Sequence, residues 1–228
     1  MIPEAPAGWS FVRDGRGLRL QDSQGAALHA DFLGGALGWR LAHGGGRGQA
    51  VARAIGVKQG RTAARVLDLT AGLGRDAAVL AALGCEILAL ERNLAVFALL
   101  ADALQRALAD AEGALRLGGR LRFERTDARD FLARGAAAEF DVIYLDPMHP
   151  DRAKSALVKQ EMRLFRALVG ADDDAGDLLV AALASGAPRV VVKRPAQAAP
   201  LGPAPDAVIA GRTTRFDLYL RRMDGSAA

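Results

Sequence analysis

The segment RVLDLTAGLGRDAAVLAALGCEILALERN, residues 65–93, constrains the fold of this 228-residue chain more than any other feature. It is typical of an apolar strand, a turn with Gly72 and Gly74, a helix, and a second strand that ends in Glu91. Glycine in such a turn lets the backbone bend sharply and approach a ligand closely. A strand–helix–strand unit of this kind is a right-handed crossover between parallel strands. The segment therefore predicts a parallel sheet with a ligand site beyond the carboxyl end of its first strand.

The same alternation of strands and helices continues to about residue 193. Strands are predicted at 65–69, 86–91, 120–125, 141–146 and 189–193. Helices are predicted at 75–83, 94–111, 128–133, 154–169 and 177–184. The final stretch, AVIAGRTTRFDLYLRRM, instead predicts two antiparallel strands joined by a tight connection. The pattern indicates an α/β fold of the Rossmann-like type, with a mostly parallel sheet and a C-terminal antiparallel hairpin.

The beginning of the chain has a different pattern. Polar and apolar residues alternate in WSFVRDGRGLRLQDSQGAALHA, and DGRG and DSQG are typical turns, which predicts short antiparallel strands. A glycine-rich passage follows and ends in a predicted short helix near 48–55. We therefore divide the chain into a small β-rich N-terminal segment, residues 1–60, and a larger α/β domain, residues 61–228.

Composition narrows the class of protein. Hydrophobic residues make up 51% of the chain, enough for a sizeable core, but no run reaches the ~20 apolar residues of a membrane span. The start, MIPEAPAGWS, lacks the basic and apolar regions of a signal peptide, and the single Cys85 cannot form an internal disulfide. We expect a cytoplasmic protein. The net charge of +4 is compatible with a nucleic-acid partner without being diagnostic of one.

The charges after the glycine turn favour one cofactor over another. Arg75 suits a carboxylate and Asp76 suits an ammonium group, which are the two charges of the methionine end of S-adenosylmethionine. Glu91, at the end of the second strand, can bind both hydroxyls of a ribose. A dinucleotide site shares that acid but has a third glycine, which is missing here, and Asp76 would repel a pyrophosphate. S-adenosylmethionine is therefore favoured, and a nicotinamide-dependent oxidoreductase is the alternative enzyme class.

The stretch VIYLDPMHP, residues 142–150, delivers Asp146 from an apolar strand into a turn stiffened by Pro147. Proline fixes its own backbone angle and favours extended geometry at the residue before it. A carboxylate and a nearby carbonyl held at this edge can accept protons from an exocyclic amine, which is the equipment for methylating the amino group of a nucleobase. An Asp-Pro pair on its own can equally be the start of a plain turn.

With these motifs the chain resembles the ribosomal RNA small subunit methyltransferase J family over about residues 31–220. The resemblance is carried by DFLGGALGWRLAHGGGRGQAVARAIGVKQG, DLTAGLGRDAAVLAALGCEILALERN, YLDPMHPDRAKSALVKQEMRLFRALVG, RVVVKRPAQAAPL and RFDLYL. It implies a class I methyltransferase fold and methylation of the N2 amine of a guanine in 16S ribosomal RNA by S-adenosylmethionine. An amino-methyltransferase for another nucleic acid, adenine N6 included, and a noncatalytic RNA-binding module are the alternatives.

The resemblance also implies which residues bind the cofactor and act in catalysis. The implied cofactor contacts are Arg75, Asp76, Glu91, Arg92, Asp127, Ala128 and Asp146, beside the turn glycines Gly72 and Gly74. Asp146 and Pro147 are the implied catalytic residues. Asp127 and Ala128 stand where we expect serines, and His149 stands where we expect a phenylalanine after Asp-Pro-Met.

The expected partner is 16S ribosomal RNA or the small ribosomal subunit. His149 is a candidate for stacking on the target base. Lysine is rare in this chain, so its placement near the predicted target pocket suggests phosphate contacts, at Lys154, Lys159, Lys193 and the adjoining Arg194. We expect no metal site, because none is needed for this chemistry. A monomer is expected, since a methyltransferase core needs no partner chain to close its site.

Overall fold

The computed structural model describes residues 2–43, 46–57, 64–148, 156–170 and 174–221, which form a three-stranded and a seven-stranded sheet with helices. The strands are β1 (Trp9–Asp14), β2 (Gly17–Asp22), β3 (Ala27–His29), β4 (Arg65–Asp68), β5 (Glu86–Leu90), β6 (Leu121–Glu124), β7 (Val142–Leu145), β8 (Arg189–Pro195), β9 (Ala207–Ala210) and β10 (Thr214–Leu220). The helices are α1 (Gly35–His43), α2 (Ala50–Ile55), α3 (Arg75–Ala82), α4 (Leu94–Ala109), α5 (Ala111–Leu117), α6 (Ala128–Ala133), α7 (Ala156–Val169) and α8 (Ala175–Ala184), with short 3₁₀ turns at Gly46–Gly48 and Ala136–Glu139.

The larger sheet has the strand order β6-β5-β4-β7-β8-β10-β9. Strands β4 to β8 pair in parallel, and β10 runs antiparallel to both β8 and β9. From the central β4 the chain proceeds first to β5 and β6 on one side and then to β7 and β8 on the other. The loops after β4 and β7 therefore diverge at the carboxyl edge of the sheet and leave a crevice, where open α/β sheets bind ligands.

The sequence-based fold is confirmed by these elements and by the C-terminal hairpin of β9 and β10. Each predicted strand of the parallel sheet lies within two residues of an observed one. The reason is physical: a parallel strand covered on both faces is a nearly continuous apolar run, as in Val142–Leu145, where every residue is buried. Such runs are easy to recognise between glycine-containing turns.

Two helices were not predicted. Helix α1 lies in the glycine-rich passage, where a Cβ on Gly38 would approach the carbonyl oxygen of Leu33 to 2.5 Å, so that glycine is needed for packing rather than for flexibility. The single helix predicted at 94–111 is followed by a separate helix, α5. Asp110 ends α4 in extended geometry and caps α5 by accepting a hydrogen bond from the N–H of Gly113.

Two hydrophobic clusters cover the faces of the larger sheet. Because side chains alternate along a strand, Val142 and Tyr144 pack into one cluster, and Ile143 and Leu145 pack into the other. The first cluster contains α3 and α4 and extends into the N-terminal sheet. The second contains α6 and α8. The central strands are therefore fixed from both sides, and this holds their carboxyl ends in place.

The N-terminal sheet is anchored to α4 by a buried carboxylate. Asp102 accepts hydrogen bonds from the backbone N–H of Leu18 at 2.9 Å and from Arg106 Nε at 2.9 Å, and it pairs with Arg13 at 2.6 Å. Arg106 also donates to the carbonyl oxygen of Ala30. Buried leucines of β2 and β3 join the same cluster as α4. This attachment brings α1 against α3, at the edge of the crevice.

None of the helices within the described residues has the length and apolar character that crossing a membrane requires.

Candidate active site

Two adjoining cavities occupy the crevice at the carboxyl edge of the sheet. The larger, of about 360 Å³, lies beyond β4, β5 and β6, and the smaller, of about 280 Å³, lies beyond β4, β7 and β8. Both are lined by Thr70, Gly72, Asp146, Pro147, Met148 and Phe165. The Asp-Pro-Met turn after β7 and one aromatic ring of α7 thus form the boundary between them. A ligand that is polar at both ends can extend from one cavity into the other.

The glycine turn after β4 serves two purposes. Gly72 has a φ of +54° and lines both cavities, so its backbone is accessible to a bound ligand. Gly74, which we predicted to contact the cofactor, has a φ of +72° and lines neither cavity. A Cβ at Gly74 would lie about 2.9 Å from side-chain atoms of Leu100 and Phe32. Gly74 is therefore required by the turn and by close packing at the start of α3.

The larger cavity is bordered by acids that follow β5 and β6. Glu91 is buried directly after β5, and its Oε1 accepts a hydrogen bond from the backbone N–H of Asn93 at 2.7 Å. Asp127 caps α6 by accepting from the N–H of Arg129 at 2.9 Å. Burial would raise the pKa of Asp127, but hydrogen bonds and charge from Arg129 lower it below its ordinary value. Carboxyl groups that can accept hydrogen bonds thus border a mostly apolar cavity, as suits a ribose and a purine.

Exposed charges form the rim of the larger cavity. Arg92, predicted as a cofactor contact, lies on this rim and pairs with Asp174 of the loop before α8 at 2.7 Å. Asp127 lies 3.9 Å from the same guanidinium group. Ala128, the first residue of α6, is buried and lines the cavity wall. Its small side chain leaves space within the larger cavity, next to the carboxyl edge of the sheet.

The smaller cavity contains a buried network centred on Asp76. One carboxylate oxygen of Asp76 accepts from the Tyr144 hydroxyl at 2.7 Å and from Lys193 Nζ at 2.8 Å, and the other accepts from Arg40 at 2.7 Å. Burial would raise the pKa of Asp76, but the charges of Lys193 and Arg40 hold it well below its ordinary value. The sequence alone gave no sign of Arg40 or Tyr144 here. Arg75 lies beside this network at the start of α3 and pairs with Glu161 of α7.

Asp146 stands where the two cavities meet. Its backbone N–H donates to Thr70 Oγ1 at 2.6 Å, which ties the end of β7 to the loop after β4. Its carboxylate Oδ2 lies 2.6 Å from Lys193 Nζ. Pro147 follows with a buried ring and no N–H, so the turn leaves the sheet in a defined direction. A carboxylate is thereby held at a fixed point against both cavities.

A second acid, Asp68, is buried beside this network at the end of β4. It is 3% exposed and accepts a hydrogen bond from the N–H of Thr70 at 3.0 Å. Burial is the main cause that raises the pKa of Asp68 to about 7; the hydrogen bond from Thr70 and the charge of Lys193 oppose it, and the charges of Asp146 and Asp76 add to it. Asp68 therefore changes its charge near neutral pH.

Replacing Asp68 with Asn is expected to remove a pH dependence of stability. A carboxyl group whose pKa is raised by folding stabilises the folded state fully below its ordinary pKa near 4, and this contribution is lost as the pH rises to about 7. Between pH 4 and pH 8 the wild-type protein should lose about 4 kcal/mol of unfolding free energy that Asp68→Asn retains. Urea unfolding of both proteins at the two pH values measures this difference. Asp130→Asn, at an exposed position of α6, is the matched control, and equal pH dependence in the wild type and Asp68→Asn would contradict the expectation.

Of the residues predicted to contact RNA, only Lys193 and Arg194 have side chains within the part of the chain that the structure describes. Lys193 lines the smaller cavity, where carboxylates engage its ammonium group. Arg194 is buried and donates two hydrogen bonds to the carbonyl oxygen of Ala199, which holds the loop after β8. His149 and Lys154 lie outside the described residues. Lys159 belongs to α7, and its side chain is likewise outside what is described.

Within the described ranges, histidine, cysteine, aspartate and glutamate side chains do not form a group of three or more that could hold a metal ion.

A family model of SAM-dependent methyltransferases matches residues 8–221, and the chain belongs to this class of enzyme. The fold agrees: a SAM-dependent methyltransferase from Neisseria gonorrhoeae, known from its crystal structure, superimposes with a TM-score of 0.72 at 30% identity, over 95% of this chain and 85% of that one.

Curated relatives give the narrower family. The Ribosomal RNA small subunit methyltransferase J of Marinobacter nauticus is 47% identical over 216 residues, which are 93% of this chain and 77% of the relative. The protein of the same name from Thioalkalivibrio sulfidiphilus is 51% identical over 92% of this chain and 84% of its own length. The chain is therefore a member of the ribosomal RNA small subunit methyltransferase J family.

Proposed function

We propose that this protein transfers a methyl group from S-adenosylmethionine to the N2 amine of a specific guanine in 16S ribosomal RNA. The observation that carries the proposal is the placement of the Asp146 carboxylate at the junction of two cavities, beside a proline-stiffened turn. The names of the relatives, which refer to small-subunit ribosomal RNA, support the substrate class. We further propose that the protein acts in the cytoplasm as a monomer.

The residues around the larger cavity fit the adenosine part of the cofactor. Glu91 offers a buried carboxylate for the ribose hydroxyls, and Gly72 presents backbone where both cavities meet. Asp127 offers an acceptor for the adenine amine, and Ala128 leaves space for the ring. When bound, S-adenosylmethionine supplies a methyl group on a positively charged sulfur.

The residues on the α3 side of the smaller cavity fit the methionine part, and the side formed by Asp146 and β8 is left for the target base. Asp76 accepts hydrogen bonds from three donors among the described residues, and an ionised carboxylate offers about four acceptor sites, so it can also receive an ammonium group. Arg75 lies at the N-terminal end of α3, where its charge and the helix dipole both favour a carboxylate. The polar ends of the cofactor are thereby oriented by opposite charges.

Asp146 activates the target amine. The lone pair of the guanine N2 nitrogen is delocalised into the ring, so the amine is a weak nucleophile. Hydrogen bonds from its two N–H groups to the Asp146 carboxylate and to a carbonyl near Pro147 favour a pyramidal nitrogen whose lone pair is available. The carboxylate then accepts the proton that leaves as the new nitrogen–carbon bond forms. Phe165 and Met148 contribute apolar walls that limit the entry of water.

The RNA must present its base to this site. A base within a duplex or a stack has to be extruded, at a cost of a few kcal/mol, before its N2 amine can reach Asp146. His149 stacks on the extruded base, and Lys154 and Lys159 bind neighbouring phosphates. Such contacts make binding depend on salt concentration.

A labelling assay tests the proposal. The protein is incubated with methyl-labelled S-adenosylmethionine and small ribosomal subunits that lack the modification, in parallel with the naked 16S rRNA, and the RNA is digested to nucleosides. Label in N2-methylguanosine is the expected result, and sequencing then maps the guanine. Label in N6-methyladenosine would overturn the assignment of the target atom. Absence of label from both RNAs, for protein that binds S-adenosylhomocysteine, would overturn the substrate class.

A further inference from the structure

A cation and an anion lie side by side in the smaller cavity. Lys193 Nζ is 2.6 Å from Asp146 Oδ2 and 2.8 Å from Asp76 Oδ2. The side chains of Lys193 and Asp146 are 24% and 39% exposed, and both line the cavity. One ligand can therefore contact both the Lys193 ammonium group and the Asp146 carboxylate. Asp76 is only 8% exposed and supports Lys193 from behind.

Lys193 is held as a charged donor. Burial would lower the pKa of its ammonium group, but the charges of Asp76 and Asp146 raise it above its ordinary value. Its backbone is fixed in β8, opposite Phe216 of β10. An ammonium group has three N–H donors, of which the two carboxylates take one each among the described contacts. This leaves a donor for an acceptor atom in the cavity.

The polar atoms of Asp146 and Lys193 match the Watson–Crick edge of one base, guanine. Along Asp146 Oδ1, Asp146 Oδ2 and Lys193 Nζ the order is acceptor, acceptor, donor. Guanine presents the N2 amine, N1–H and O6 along its Watson–Crick edge, in the order donor, donor, acceptor. Parallel hydrogen bonds to neighbouring positions of such an edge need partner atoms that lie side by side. Nζ and Oδ2 lie side by side, 2.6 Å apart.

We propose that Asp146 and Lys193 together read the edge of the target guanine, with Lys193 donating to O6 while Asp146 accepts from N1–H and from the N2 amine. The inference rests on the proposed function and deepens it by naming the specificity-determining residue. It replaces the expectation that Lys193 binds a phosphate, because two carboxylates hold its ammonium group in the cavity wall.

The same pair rejects adenine. Adenine has an acceptor, N1, next to its amine, and beyond that only a C–H group. If its amine lay on Asp146 Oδ1, where the guanine amine lies for methylation, N1 would face Oδ2 and Lys193 would face no acceptor. A site built to form hydrogen bonds discriminates strongly against a ligand that leaves its polar groups unpaired. Guanine selectivity therefore follows from the side chains that hold the amine for methylation.

A one-atom change in the substrate tests the inference. Small subunits are reconstituted with 16S rRNA in which the guanosine mapped by the labelling assay is replaced, through ligation, by 6-thioguanosine. This base keeps N1–H and the N2 amine but has sulfur, a poor acceptor, in place of O6. Wild-type protein should methylate it with kcat/KM about 10-fold lower than for guanosine, which corresponds to loss of about 1.4 kcal/mol of hydrogen bonding.

Two variants separate recognition of the base from a structural role. Lys193→Met keeps the length of the side chain and removes the donor. It should methylate guanosine more slowly, and its ratio of kcat/KM for guanosine to kcat/KM for 6-thioguanosine should be near 1. Arg75→Met removes another cation that lines the same cavity, so it should lower kcat/KM for both substrates and keep the 10-fold ratio between them. The ratio is informative because a merely structural loss affects both substrates equally.

Several outcomes would overturn the inference. Equal rates of the wild type on the two substrates would do so whatever the stability of the variants. A 10-fold preference that persists in Lys193→Met would also reject it, as would a Lys193→Met protein that binds S-adenosylhomocysteine but methylates neither substrate. In each of these cases the proposed function stands, provided that the wild type labels guanosine N2. Failure of that first labelling would reject the function itself.

Discussion

Asp146→Asn is expected to lower the rate of methyl transfer by about 10²- to 10⁴-fold, far more than it lowers the affinity for the cofactor. The amide cannot accept the departing proton, and one of its two acceptor positions becomes an NH₂ group that faces the target amine. It also loses the charge that attracts Lys193. Single-turnover transfer to small subunits measures the chemical step, and calorimetry with S-adenosylhomocysteine measures binding.

The control for this experiment lies at the other end of the same strand. Asp141 precedes β7, is exposed, and accepts a hydrogen bond from the backbone N–H of Arg65 at 2.8 Å. Asp141→Asn should therefore keep wild-type turnover. If Asp146→Asn retained near-wild-type single-turnover rates, the carboxylate would have no part in the transfer, and the backbone of the turn at Pro147 would have to align the amine alone.

The fold was largely predictable because its signals are local. The glycine turn at Gly72 and the buried run Val142–Leu145 identify parallel strands, and parallel strands place their carboxyl ends along one edge. Glu91 and Asp146 follow two such ends and were both predicted as cofactor contacts, and both line the larger cavity. Their chemical roles remain proposals.

The site contacts that the sequence did not predict depend on tertiary packing. Arg40 reaches Asp76 only because the N-terminal sheet is anchored on α4 and brings α1 against α3. Lys193 is 117 residues from Asp76 in the chain, and its ion pairs depend on the order of strands β4, β7 and β8. Gly74 shows the opposite case: its position in the motif suggested a ligand contact, although packing against Leu100 explains it.

Asp76→Asn is expected to weaken cofactor binding by about 100-fold and to lower the free energy of unfolding by about 3 kcal/mol. The amide keeps the shape of the side chain but removes the charge between Lys193 and Arg40, and breaking a buried ion pair costs several kcal/mol. The ammonium end of the cofactor loses its counter-ion in the same step. Calorimetry with S-adenosylhomocysteine and urea unfolding at pH 7 measure the two effects.

The pH dependence distinguishes this charge from a merely structural hydrogen bond. A carboxyl group whose pKa is lowered by folding stabilises the folded state above its ordinary pKa of 3.8, and this contribution is lost as the pH falls below that value. The stability difference between the wild type and Asp76→Asn should therefore shrink on acidification from pH 7 to pH 3. Asp177→Asn, at an exposed position in the first turn of α8, is the matched control. It should change neither the affinity for S-adenosylhomocysteine nor the free energy of unfolding. A difference that is independent of pH would mean that shape and hydrogen bonding, rather than charge, make Asp76 important.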